Sequence, residues 1–136
     1  MNEATIEIRA TVDRAADGTF WCYTNASIND CALSGCGDTP KAAIDDMNYA
    51  YAELKEMNDA DGIATPNVKF AYHFDVASYF ACFDFINVNK IAERIGINAT
   101  LLRRYINGKA VPGAEQRKKI GSAMKEIASE MELCEI

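Results

Sequence analysis

The chain has 136 residues, of which 49% are hydrophobic and 25% charged, with a formal net charge of −6. That is room for one ordinary domain or two small ones, and no apolar run approaches the roughly 18–20 residues that cross a bilayer. The opening MNEATIEIRATVD lacks a basic stretch followed by an apolar one, so a cytoplasmic protein without a secretory signal or a membrane partner is expected.

The charge is unevenly placed. Residues 1–86 hold five Lys and Arg against fourteen Asp and Glu, a balance of −9. Residues 87–125 hold nine against two, or +7, and the last eleven add four Glu with no cation. Blocks of opposite sign point to separate partners. The five cysteines (Cys22, Cys31, Cys36, Cys82, Cys134) are odd in number and form no CxxC pair. Reduced small hydrophobes are expected of them, with no disulfide frame and no metal site. Nothing in the chain calls for a cofactor.

In chain order, TIEIRATV (5–12) alternates apolar and polar residues and predicts a strand with one buried face. Asp17-Gly18 supplies a turn, and FWCYT (20–24) reads as the returning strand of a hairpin. A short third strand is expected near Cys31–Leu33. Thr39 as N-cap and Pro40 as first helical residue open a helix. Its apolar stripe runs through Ala43, Met47, Ala50, Leu54 and Met57. NVKFAYHF (67–74) alternates again. The front part is therefore expected to be an α+β domain (1–75), a small antiparallel-type sheet with one helix across it. A connecting helix or linker follows at 76–86, then an all-α domain at 87–136.

Within that last segment, VNKIAERIGINATLLRRYING has the grammar of a helix-turn-helix. Ile91, Ala92 and Ile95 bury the first helix, Gly96 sits at the turn where positive φ is needed, and Asn98 caps the second helix. Leu102 and Ile106 anchor that second helix from beneath. Ala99, Thr100, Arg103, Arg104 and Asn107 are left on or near its outer side, a pattern that fits the major groove of double-stranded DNA. Lys90, Lys109, Arg117 and Lys118 are placed as phosphate contacts. A fourth helix from Gly113 to about Met131 is expected to bury Ile120, Met124, Ile127, Ala128 and Met131. Readers of this kind bind two half-sites, so a homodimer or higher even oligomer is expected.

The front segments IEIRATVDRAADGTFWCYT and SGCGDTPKAAIDDMNYAYAEL, with Gly37-Asp38-Thr39-Pro40 leading into an acidic helix, resemble HicB-like antitoxins. NASINDCALSG stands where that family commonly has a Pro-x-(Leu/Phe)-Pro-Gly approach to the third strand. The resemblance implies a partly degraded ribonuclease-H-like domain without catalysis, a C-terminal DNA-binding module, and a small basic HicA-like, mRNA-cleaving toxin as protein partner. It further implies repression of the antitoxin's own operon at an operator. An acidic front half suits a basic partner, because opposite potentials speed encounter and fix orientation.

Two other classes compete. An orphan transcription regulator, whose front domain dimerises or senses a ligand, shares every DNA-binding feature. An enzyme would need carboxylates such as Asp30, Asp38, Asp45, Asp46 and Asp75 to converge on metal ions. Asp45 and Asp46 are adjacent, about 100° apart on a helix, and cannot face one site together. His73 has no nearby nucleophile. No enzymatic activity is expected.

Overall fold

The computed structural model describes residues 4–136, and the chain divides into two compact units between Cys82 and Phe83. The first is built on a four-stranded sheet. Strand β1 (Ile6–Arg14) buries Ile8, Ala10 and Val12 and exposes Glu7 and Arg9, as the alternation requires. It pairs antiparallel with β2 (Phe20–Thr24), Val12 opposite Cys22 and Ala10 opposite Thr24. In the connecting turn, Asp17 accepts from the hydroxyl and the N–H of Thr19, which holds its carboxyl below the ordinary value.

The third strand, β3, is Ser34–Gly37, later than the expected Cys31–Leu33. The reason is a tight turn closed by reciprocal hydrogen bonds between Ile28 and Cys31, with Asn29 and Asp30 at positive φ. Regular pairing with β2 resumes only after Leu33, whose N–H donates to Thr24 Oγ1. Helix α1 (Pro40–Ala60) begins where Thr39 Oγ1 accepts from the Ala42 N–H. Ala43 and Met47 are fully buried against the sheet. Met57, expected in the buried stripe, is instead 64% exposed. Asn58 takes the inward position in that turn and donates from Nδ2 to Thr65.

Strand β4 (Val68–Phe74) corrects the expected antiparallel sheet. It lies beside β1 and parallel to it, Ile8 opposite Phe70 and Val12 opposite Phe74, giving a mixed sheet of order β3-β2-β1-β4. The cause is the crossover. β3 already runs in the direction of β1, and a long helix returning the chain across one sheet face starts the next strand in the same direction. Helix α2 (Val76–Cys82), begun by the Ser78 N–H donating to Asp75, buries Val76, Ser78 and Phe80 within this unit. The helical part of the expected 76–86 connector thus belongs to the first unit.

The second unit is helical: α3 (Val88–Ile95), α4 (Ala99–Ile106) and α5 (Ala114–Leu133). Its interior is made by Ile91, Ala92, Ile95, Leu102, Tyr105, Ile120 and Met124. Two expectations change here. Tyr105 (7% exposed) is buried beside Leu102 (0%), whereas Ile106 is only half-buried. On α5, Ile127 is half-buried, and Ala128 and Met131 are exposed, because the unit's core ends at Met124. The molecule is α+β, with one mixed sheet and five helices among the described residues. None of the described helices is long and apolar enough to cross a membrane.

Candidate nucleic-acid interface

The turn between α3 and α4 is fixed by local chemistry. Asn87 caps α3 by accepting from the Lys90 N–H. The helix ends at Gly96, whose φ of 83° lies in the left-handed region that a side chain disfavours. Its N–H and that of Ile97 both donate to the Ala92 carbonyl. Asn98 then caps α4, its Oδ1 accepting from the N–H groups of Thr100 and Leu101. Two caps and one glycine therefore hold two eight-residue helices in a defined sequence of helix, three-residue turn and helix.

Burial of Leu102 and Tyr105 sets the rotation of α4. With 3.6 residues per turn, the side away from those two passes through Thr100, Arg103, Arg104 and Asn107. All four are exposed, and Ala99 is half-buried at the margin. Lys90 on α3, Lys109 after α4, and Arg117 and Lys118 in the first turns of α5 are exposed as well.

The cations of the basic block are not equivalent. Arg94 is paired with Glu130 at 2.8 Å, and this hydrogen-bonded carboxylate raises its already high pKa. Lys119 donates to the Gly96 carbonyl at 3.1 Å, where a positive charge complements the C-terminal end of α3. These two cations already have partners within the unit. Arg103 reaches from α4 to α3, its Nη2 donating to Asn89 Oδ1. Asn89 had no signal in the sequence, since it is two residues from a capping asparagine and meets Arg103 only when the helices pack.

The carboxylates weighed for catalysis are partly engaged elsewhere. Asp46 accepts from the Cys36 N–H at 3.0 Å, tying α1 to the edge strand, and Asp75 starts α2. Asp13 accepts from the Tyr23 hydroxyl, which raises the phenol's pKa. Among the described residues, no three His, Cys, Asp or Glu side chains converge to hold a metal ion.

No family model, no curated protein and no solved structure matches the chain.

Proposed function

We propose that the chain is an antitoxin of the HicB-like kind, which represses its own operon through α3, the Gly96 turn and α4 and neutralises a HicA-like mRNA-cleaving toxin through its acidic α+β unit. The DNA-reading arm is supported by one observation above others: α4 turns Thr100, Arg103, Arg104 and Asn107 outward together while Leu102 and Tyr105 hold it from within. A helix so presented fits the major groove. Its N-terminal Thr100 lies nearest base edges, an arginine is able to meet guanine bidentately, and Lys90, Lys109, Arg117 and Lys118 flank it for phosphates. A cytoplasmic homodimer would place two such helices on the halves of an inverted repeat.

The neutralising arm is supported by the Gly37-Asp38-Thr39-Pro40 approach to an acidic helix and by the −9 balance of the front half. A basic ribonuclease toxin is the complementary partner.

Two experiments test the arms separately. Replacing Arg103 and Arg104 together with Ala is expected to abolish binding to the protein's own promoter DNA and leave the circular-dichroism spectrum unchanged. Undiminished affinity in that double variant would sink the recognition-helix assignment. For the other arm, a neighbouring short basic reading frame is induced with and without this protein while growth and mRNA integrity are followed. Arrest relieved by this protein supports an antitoxin. Arrest that it cannot relieve leaves the orphan-regulator reading.

A further inference from the structure

Two arginines stand side by side on the outer face of α4, yet only one is held. Arg103 donates from Nη2 to Asn89 Oδ1 on the neighbouring helix, whereas the Arg104 guanidinium has no hydrogen-bond or ion-pair partner among the described residues. Both remain exposed. A long flexible arginine loses much side-chain freedom when it adopts one geometry on a ligand, so an arginine already oriented loses less on binding. Orientation matters most for bidentate recognition of a base edge, where the planar guanidinium fork must meet two acceptors at once. A phosphate contact, by contrast, carries no sequence information however the arginine is held.

Resting on the DNA-reading proposal above, we infer that Asn89 is a positioning residue that sets the Arg103 guanidinium for base readout, so that Arg103 specifies one base pair and Arg104 contributes affinity without sequence preference. Asn89 suits the task. It lies in the first turn of α3, close after the Asn87 cap, on a backbone already fixed by the Asn87–Lys90 hydrogen bond. Its carboxamide oxygen accepts from one guanidinium nitrogen and leaves the remaining N–H donors of Arg103 for a base. A neutral acceptor also orients the cation without cancelling the charge that DNA attracts.

The test is selection of duplexes from a fully randomised library by the intact chain, followed by affinity measurements on the selected site and its single-base-pair variants. Asn89→Ala is expected to keep its thermal midpoint and its affinity for arbitrary duplex. It should lose about tenfold in discrimination at one base pair, the same pair at which Arg103→Ala loses discrimination. The double variant N89A/R103A should be no worse at that pair than R103A alone, because the two residues act in series. Asn89→Asp keeps the acceptor and is expected to restore the preference while weakening overall affinity. Arg104→Ala should lower affinity alike for all sequences. If the wild-type chain selects a site and N89A selects it equally well, the positioning role is overturned and the DNA reading stands. If the wild-type chain selects no sequence, the DNA reading itself falls and this inference with it.

Discussion

Gly35 is where the smallest side chain has the largest structural consequence. A Cβ placed there would lie 2.3 Å from the Met47 backbone nitrogen and 2.6 Å from the Ala43 carbonyl oxygen. Neither atom belongs to a flexible chain end that can swing away, so β3 or α1 must shift. Gly35→Ala is therefore expected to destabilise the first unit by about 2–3 kcal/mol, seen as a lower urea midpoint; an unchanged midpoint would mean that helix and sheet do not approach this closely. Cys22 shows burial acting on chemistry. Its side chain is fully buried, its Sγ lies 3.4 Å from Met47 Sδ, and desolvation pushes the thiol up to about 11. Because the folded value lies above the unfolded one, the neutral thiol's contribution to stability is complete below about pH 9. It is lost progressively as pH rises towards 11. Iodoacetamide at pH 8 should label the exposed Cys31, Cys36 and Cys134 and spare Cys22 until the chain is unfolded. Rapid native labelling of Cys22 would contradict the packing described.

Helix α5 separates pattern from burial. Ile120, Met124, Ile127 and Met131 recur at spacings of four, three and four, a stripe that reads as uniformly interior. Only its first half is buried: Met124 is 9% exposed and Met131 67%, and the later turns reach α3 through the exposed Arg94–Glu130 pair. Met124→Ala is expected to cost about 2–4 kcal/mol by leaving a cavity, and Met131→Ala less than about 0.5 kcal/mol. Thermal denaturation of the two variants side by side would show the contrast, and equal losses would place Met131 in an interior of its own. On α1 the shift from Met57 to Asn58 has the same origin. An apolar residue at the right period is buried only where another element stands opposite, and at the helix end Thr65 offers a hydrogen bond.

Across the whole molecule, charge and architecture divide at nearly the same place. The first unit ends at Cys82 and the basic block begins after residue 86. With Arg94 and Lys119 engaged internally, the cations offered to a polyanion at the flanks of α4 are Lys90, Lys109, Arg117 and Lys118. With the sequence-independent contact assigned to Arg104, five phosphate contacts per chain predict that the logarithm of the DNA-binding constant falls with the logarithm of salt at a slope of about −4.5 per chain. Lys118→Ala should make the slope shallower by about 1, as measured by fluorescence anisotropy across a salt series. A slope near zero in the wild type would exclude phosphate contacts of this number.

Local chemistry alone determined a good deal of this protein. Thr39-Pro40, Gly96 and Asn98 mark helix ends through hydrogen bonds between near neighbours in the chain, and those ends lie where the sequence puts them, whereas the Asn87 cap emerged only with the structure. Alternation in β1 and β4 and the outward face of α4 follow equally from short-range period, so most of the candidate interface was legible: every proposed contact residue except Ala99 is exposed. Tertiary structure decided the rest. Placing β4 parallel to β1 required the crossover of α1, and Tyr105 rather than Ile106 became the deep anchor because packing, not hydrophobicity, chose between neighbours on one helix. The Asn89–Arg103 contact spans fourteen positions and exists only where α3 and α4 meet. Short-range hydrogen bonds and periodicity are written in adjacent residues, whereas burial depth, strand direction and side-chain pairing depend on which distant element arrives opposite.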